Sequence, residues 1–183
     1  TLPGIAVDPL AALRKAAGKE PLKGNRDVQV ATRGDNGDAS LLRWSDDGRN
    51  AVVMVRAIDN KDRWIAGVDL ASATLQSRHR LTDPAWINWG FNEFGWLPDS
   101  QTLWFLSEQS GYSHLYTQRG NEKPRQRTSG KWEVSSPAVT PQGDFLFLCN
   151  RAQPGKYEIC RMEAGDSAVR ELTNLGGLED FSL

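Results

Sequence analysis

The sequence predicts an all-β fold, a partial β-propeller of about three four-stranded blades plus partial blades, preceded by a short N-terminal helix. After Lys23, short apolar runs alternate with turns rich in Gly, Pro, Asp and Asn, a pattern typical of β-strands. Three segments share one plan of four strands, and their closing residues, Thr82, Thr128 and Thr173, lie 46 and 45 residues apart. This repeat indicates propeller blades, with a β-sandwich of coincidental spacing as the alternative.

The first predicted element is a helix within an N-terminal extension of residues 1–26. Asp8 suits the N-cap, Pro9 the first helical position and Gly18 the left-handed stop, so we expect a helix over 9–17. Its apolar stripe, which we expect to pack on the rest of the chain, consists of Leu10, Leu13 and Ala17.

The partial β-propeller is predicted to occupy residues 27–183. A lone strand is expected over 27–32, and the full units cover about 38–83, 91–128 and 132–173. A truncated next blade is expected at 178–183, so the chain would stop in mid-blade. Since an unclosed set of blades exposes sheet faces and edges, self-association is an expected property.

Each unit combines a polar turn with an apolar strand that we expect to be covered on both faces. Pro, Asp and Gly favour chain reversal in the three turns, which lie at 44–48, 96–100 and 139–143. The central strands are expected at 51–55, 103–106 and 145–149. Third strands follow at 64–68, 114–116 and 157–160, and the units close at 81–82, 127–128 and 172–173. The Trp residues expected in the core are Trp44, Trp64, Trp96 and Trp104, and those expected to form a small aromatic surface are Trp86 and Trp89.

Composition argues against two classes of partner. The 22 basic and 23 acidic residues supply no basic face for neutralising phosphates, so we expect no nucleic acid. No apolar run approaches the ~20 residues that cross a bilayer, so we expect no membrane span. Two cysteines do not decide between a periplasmic and a cytoplasmic location in a bacterium, which is the suspected origin.

No catalytic residue is predicted in this chain. The nearest approach to Gly-x-Ser-x-Gly is 111–115, where Leu115 replaces the final Gly and the context is a β-hairpin. Only His79 and His114 are available as a general base. His114 follows Ser113 directly, so their side chains would point to opposite faces of a strand.

No metal or cofactor is expected either, because the His and Cys residues lack paired ligand spacing. The acidic turns at 35–38 and 46–48 are not followed by the Glu that closes a calcium loop. The tripeptide Arg33-Gly34-Asp35 is interpreted as chance in a polar loop. Buried free thiols are the preferred interpretation of Cys149 and Cys160, with a disulfide as the alternative if register brings their Cα atoms within about 7 Å.

Several short motifs resemble one known family. Ser-Glu, Gly-Tyr and His-Leu-Tyr elements within 107–116 follow the Pro-Asp turn at 96–100, and the next unit opens with Ser-Gly-Lys-Trp-Glu-Val at 129–134. Over roughly residues 41–183 the chain resembles the N-terminal propeller of the prolyl oligopeptidase family, dipeptidyl peptidase IV branch. The resemblance implies a parent serine peptidase whose C-terminal α/β-hydrolase domain, in the same polypeptide, carries the catalytic residues. The propeller would restrict access and contact the peptide substrate, and this chain alone would be inactive.

The residues that carry the resemblance are expected to be structural, in an intra-blade hydrogen-bond network, with substrate contact as the alternative: Glu108, Tyr112, His114 and Tyr116. Inner strands line the central channel of a propeller, so the candidates for facing the channel and the substrate are Asn92, Glu93, Trp132 and Glu133. The alternative for these four is blade packing for the Trp and solvated rims for the carboxylates.

The exopeptidase assignment stays open at this stage. Dipeptidyl members of the family hold the amino terminus of the substrate with an adjacent acidic pair, and this chain has no Glu-Glu pair. Glu179-Asp180 falls in a predicted inner strand instead. The alternative functions are a stand-alone propeller for protein–protein interaction and a carbohydrate-binding propeller that uses exposed Trp.

Overall fold

The computed structural model describes residues 2–33 and 39–175. The predicted truncated blade at 178–183, which includes Glu179-Asp180, lies outside the described residues, as do the whole acidic turn at 35–38 and the last two residues of the tripeptide that begins at Arg33. The described part contains one helix, α1 (Ala11–Ala16), and the strands β1 (Val28–Val30), β2 (Thr32–Arg33), β3 (Ala39–Ser40), β4 (Leu42–Trp44), β5 (Ala51–Ala57), β6 (Asp62–Asp69), β7 (Thr74–Thr82), β8 (Phe94–Trp96), β9 (Thr102–Ser107), β10 (His114–Arg119), β11 (Arg125–Gln126), β12 (Val134–Val139), β13 (Phe145–Cys149), β14 (Glu158–Met162) and β15 (Val169–Glu171).

The chain forms two compact units, of which the first comprises Thr1–Arg43 and Asn50–Asn88 and the second comprises Trp44–Arg49 and Trp89–Leu183. The first unit is built on an antiparallel sheet in the order β1-β5-β6-β7, with β4 also paired to β5 and a separate β2-β3 hairpin. The expected lone strand is therefore wrong, because Val28 of β1 pairs with Ala57 of β5.

The N-terminal segment packs on this first sheet. Leu2 and Ile5 contact the cluster around Val55 and Trp64, and the Trp64 indole donates to the Pro3 carbonyl at 2.9 Å. Burying an indole with its N–H bonded to backbone fixes both partners, so residues 2–5 belong to the core of the unit.

The helix is shorter than predicted, and its expected stripe is wrong. It begins at Ala11, and no helical residue is buried, with Leu13 67% exposed. Asp8 does accept the Leu10 amide at 2.9 Å, but it also accepts the Leu22 amide at 2.9 Å and pairs with Arg14 at 3.1 Å. The carboxylate thus ties the turn to a later segment. The left-handed stop is confirmed, since Gly18 has a φ of +67°.

The second unit contains two four-stranded antiparallel sheets, ordered β11-β10-β9-β8 and β12-β13-β14-β15. Trp104 and Leu115 of one sheet share a buried cluster with Phe145 and Phe147 of the other. Trp104 meets Phe145 edge-to-face with ring centroids 6.1 Å apart. Face-to-face packing of consecutive sheets is the arrangement of stacked blades, and the predicted fold class is confirmed.

The structure agrees with some of the predictions for the Trp residues and contradicts one. Trp64 and Trp104 are buried and Trp96 is half-buried, as expected for strand residues. Trp44 is 49% exposed, so its core assignment is wrong: it shares an exposed face of β4 with Leu42, two residues earlier. Trp86 is exposed, as predicted, and Trp89 is half-buried.

The preferred interpretation of the cysteines is also wrong, because Cys149 and Cys160 form a disulfide. Cys160 lies opposite Phe147 in the β13-β14 pair, and Cys149 is two residues further along β13. Both side chains therefore lie on the same face of the hairpin, and their Cα atoms are 6.1 Å apart, within the range that a bridge spans.

We expect reduction of this disulfide to lower the free energy of unfolding by roughly 2.7 kcal/mol, the chain entropy regained when a loop of about a dozen residues opens. Urea denaturation with and without reductant measures the difference. Reduced wild type is the matched form because it keeps both sulfurs in the core. Coincident denaturation curves for the two forms would contradict the prediction.

Among the described helices, none is both long and apolar enough to cross a membrane.

Candidate functional site at the start of β12

His114 is held through both ring nitrogens. Its Nδ1 lies 3.1 Å from Thr128 Oγ1 and its Nε2 lies 3.0 Å from the Gly130 carbonyl oxygen. The Gly130 carbonyl can only accept, so Nε2 donates to it, and Thr128 Oγ1 also accepts the Leu115 amide at 3.0 Å. Burial lowers the pKa of His114, against the opposing effects of the Gly130 carbonyl and the Glu133 carboxylate. The lowered pKa favours the neutral imidazole, in which Nδ1 accepts from the Thr128 hydroxyl.

The other three signature residues occupy the β9-β10 hairpin. Tyr116 stacks on Phe105 at 5.7 Å, and its hydroxyl donates to Ser110 Oγ at 3.3 Å. The Glu108 carbonyl accepts the amide three residues later at 2.8 Å, which closes the loop. Tyr112 is exposed at the tip. These contacts are compatible with the structural role expected for the signature, which stays a prediction.

Glu133 is fixed by side chains from the β13-β14 loop. Its Oε2 accepts the Tyr157 hydroxyl at 2.9 Å and lies 3.5 Å from Asn150 Nδ2. The Glu133 amide donates to Asn150 Oδ1 at 2.6 Å. Burial, and then the hydrogen bond to Glu133, raise the pKa of Tyr157. The result is a half-buried carboxylate in a set position, which can accept hydrogen bonds from an ammonium or amide group.

Trp132, the residue before Glu133, contacts the imidazole ring of His114 and the guanidinium group of Arg151. Its indole donates to the Ser129 carbonyl at 2.8 Å, and its ring meets His114 edge-to-face at 5.2 Å. The Arg151 guanidinium lies 5.4 Å from the ring centroid, a cation–π arrangement. The aromatic face is thus already in contact with a cation of the same sheet.

Asn92 and Glu93 hold the equivalent place one sheet earlier. Both are half-buried and directly precede β8, as Trp132 and Glu133 directly precede β12. The Glu93 carbonyl accepts the Leu106 amide at 3.0 Å and so begins the pairing with β9. Each candidate pair lies directly before the first strand of its sheet. Their orientation towards a channel stays a prediction.

Ser113 has a structural environment. It is buried, and its hydroxyl donates to the Val134 carbonyl at 2.8 Å. Its neighbour His114 uses both ring nitrogens elsewhere, so the two do not form a nucleophile–base pair.

One group of potential metal ligands occurs among the described residues: Cys149, Cys160 and Glu171, whose ligand atoms lie within 4.8 Å of one another. Glu171 is opposite Cys160 in the β14-β15 pair. The disulfide occupies both sulfurs, which leaves the carboxylate of an exposed Glu as the one available ligand.

The family model for the dipeptidyl peptidase IV (DPP IV) N-terminal region matches residues 21–183. The chain belongs to this family. The match covers all fifteen described strands but not α1, and it confirms the resemblance inferred from the β9-β10 and β12 motifs. No curated protein matches the chain in sequence.

Solved structures share the fold of this DPP IV N-terminal region. The crystal structure of Porphyromonas gingivalis dipeptidyl peptidase 4 aligns with a TM-score of 0.60 and 16% identity, over 79% of this chain and 21% of that chain. TolB from Acinetobacter baumannii aligns with a TM-score of 0.54 and 18% identity, over 86% of this chain and 35% of that one. The chain thus spans a minor part of either protein.

Sequence reasoning missed three residues of the site in this DPP IV N-terminal region, namely Asn150, Arg151 and Tyr157. All three lie in the β13-β14 loop; the sequence marked Asn150 and Arg151 only as a connection and assigned Tyr157 to the predicted strand at 157–160, which begins one residue later, at Glu158. The repeat offered a signal for them. The β13-β14 loop joins the second and third strands of its sheet, and the loop at 108–113, which carries family motifs, occupies the same place in the preceding sheet.

Proposed function

We propose that this chain is the non-catalytic propeller region of a serine peptidase related to dipeptidyl peptidase IV. It restricts access to, and orients peptide substrate for, an α/β-hydrolase domain elsewhere in the same polypeptide. The family match over residues 21–183 carries the proposal. The carboxylate of Glu133, fixed by Tyr157 and Asn150, supports it as a group suited to bind the polar backbone or amino terminus of a peptide.

The first test is hydrolysis of an Ala-Pro p-nitroanilide substrate by the natural polypeptide that contains this chain, compared with the 183-residue chain alone. We expect turnover by the polypeptide and none by the chain, since the proposal places the nucleophile outside it. If the natural polypeptide does not hydrolyse peptides, the peptidase assignment fails, and a stand-alone interaction propeller is the better hypothesis.

The second test addresses Glu133. We expect Glu133→Gln in the natural polypeptide to raise KM several-fold with kcat nearly unchanged, because a contact made equally in ground and transition states affects binding alone. Gln is isosteric and still accepts from Tyr157. Glu163→Gln is the matched control, because that carboxylate is exposed and makes only a 3.9 Å ion pair with Arg161. An unchanged KM for Glu133→Gln would remove the residue from substrate binding.

A further inference from the structure

A groove of about 740 Å³ crosses the second unit, and we call it the arginine groove. One wall is residues 125–129, at and after β11, and the other is residues 167–169, leading into β15. The described residues that line it are Arg125, Gln126, Arg127, Thr128, Ser129, Trp132, Arg151, Ser167, Ala168 and Val169. Its size lies within the range of ligand-binding clefts.

The arginine groove is positively charged. Three of its described lining residues are Arg and none is Asp or Glu. Burial, and then repulsion by Arg125, lower the pKa of Arg127, while Asp166 acts in the opposite direction. The Asp166 carboxylate itself accepts the amides of Ser167 and Ala168, at 2.6 and 3.1 Å. The three positive charges that line the groove are therefore not neutralised by carboxylates in its lining.

Two of the guanidinium groups are held in place by the fold. Arg151 lies over the Trp132 ring and donates to the Val169 carbonyl at 2.8 Å. Arg127 donates to the Asp166 carbonyl, and its Nε is buried without a hydrogen-bond partner among the described residues. A guanidinium that is already oriented loses little entropy when it binds a carboxylate, and it can do so through two parallel hydrogen bonds.

The walls of the groove indicate what kind of anion fits. β11, which has two residues, and β15 are the end strands of their sheets, so neither pairs with a described strand on its outer side, although the Val169 carbonyl of β15 already accepts from Arg151. An extended peptide can pair with such an edge, whereas a polysaccharide or a free anion cannot. The combination of strand edges with oriented arginines favours a peptide that carries carboxylates.

We propose that the arginine groove binds an acidic peptide segment in extended conformation, with its carboxylates on Arg125, Arg127 and Arg151 and its backbone along a strand edge. The Glu133 carboxylate does not line the groove, although the groove shares Trp132 and Arg151 with the candidate site, and its occupation does not depend on peptidase activity. It would be a docking site for an Asp/Glu-rich segment of a partner protein.

The test is fluorescence anisotropy of a labelled (Glu-Ala)3 peptide titrated with the 183-residue chain at low and at physiological salt. We expect saturable binding that weakens as salt rises, because exposed charge pairs are screened. (Gln-Ala)3 should not bind. (Glu-Pro)3, which has the same charge but no donor at alternate residues, should bind at least about tenfold more weakly if backbone pairing contributes.

Single variants locate the site. We expect Arg125→Gln and Arg151→Gln each to weaken (Glu-Ala)3 binding about tenfold, the loss of one charge-assisted hydrogen bond. Arg170→Gln is the control: it removes the same charge from an exposed residue of β15 that does not line the groove. Equal losses in all three variants would overturn the proposal, since they would indicate only the net charge of the chain.

Competition experiments distinguish an acidic peptide from other anionic ligands. Unlabelled (Glu-Ala)3 should displace the labelled peptide, while inorganic phosphate or polygalacturonate at the same charge concentration should not. Displacement by phosphate would reduce the groove to a small-anion site, and tighter binding of polygalacturonate would make its ligand a polysaccharide. Either result overturns the acidic-peptide assignment, and neither bears on whether the parent polypeptide is a peptidase.

Discussion

Asp62→Asn is expected to lower the free energy of unfolding of the first unit by about 3 kcal/mol, through the loss of a buried ion-pair network. The Asp62 side chain is 4% exposed and accepts from Arg80 Nε at 2.6 Å and from Arg26. Burial alone would raise the pKa of Asp62, but the hydrogen bonds from Arg80 and Arg26 outweigh burial and lower it. An Asn keeps the shape and removes the charge that both arginines require.

The network matters because it fastens the N-terminal segment to the first sheet. Arg26 also binds Asp59 through its second nitrogen, at 2.6 and 2.8 Å, and its amide donates to the Ile5 carbonyl at 2.7 Å. A Cβ on Gly4 would overlap the Arg80 guanidinium, so the segment passes directly over the network. Loss of Asp62 leaves two cations in this space with one remaining, more exposed carboxylate.

Denaturant unfolding at neutral pH measures the effect, and Asp59→Asn is the matched control. Asp59 binds the same Arg26 but its side chain is 26% exposed, so solvent screening should limit its loss to about 1 kcal/mol or less. Similar losses for the two variants would show that burial does not set the energy of the network. Because the pKa of Asp62 is lowered on folding, its contribution is present above the ordinary carboxyl pKa and is lost as pH falls below it.

The repeat could be predicted because each sheet carries its signals locally. Pro98-Asp99 and Asp47-Gly48 specify turns whatever the rest of the chain does, and the apolar run after each turn is long enough to identify a central strand. The confirmed turns illustrate this, since Gly48 and Ser100 donate their amides to carbonyls three residues earlier, at 2.9 Å in both cases.

The contacts that sequence could not supply join distant residues. Asp62 lies 36 residues from Arg26 and 18 from Arg80, and the local sequence around each is that of an ordinary polar residue. The β1-β5 pairing fails for the same reason: alternation identifies β1 as a strand but does not identify its neighbour. Predicting the disulfide required the register of the β13-β14 hairpin. A loop of eight residues does not determine that register.

Some residues of the candidate site could likewise be selected from the sequence, and others could not. Glu133 and Trp132 could be chosen from sequence because they open an inner strand beside a family motif. Their partners Tyr157 and Arg151 could not, since they come from a loop whose conformation is set by tertiary contacts. Charge counting also missed the arginine groove, because a net charge of −1 conceals three arginines that converge only in the folded unit.

The wild-type protein is expected to lose on the order of 3 kcal/mol of stability between about pH 6.5 and pH 4, because His79 cannot be protonated in the folded state without a large cost. His79 is buried on β7, opposite Ile65 of β6. Burial, and then the charge of buried Arg63, lower the pKa of His79 to about 4. In this pH range the unfolded chain takes up a proton that the folded chain does not, so falling pH favours unfolding.

His79→Gln removes this proton uptake and should flatten the dependence of unfolding free energy on pH over the same range. His114→Gln is the matched comparison: the pKa of His114 is also lowered, but the Gly130 carbonyl and Glu133 oppose the effect of burial, so its contribution should be the smaller of the two. Denaturant unfolding of the three proteins at several pH values measures the slopes. Parallel curves for wild type and His79→Gln would contradict the prediction and assign the acid sensitivity to the carboxylates, Asp62 first among them, whose titration lies at lower pH.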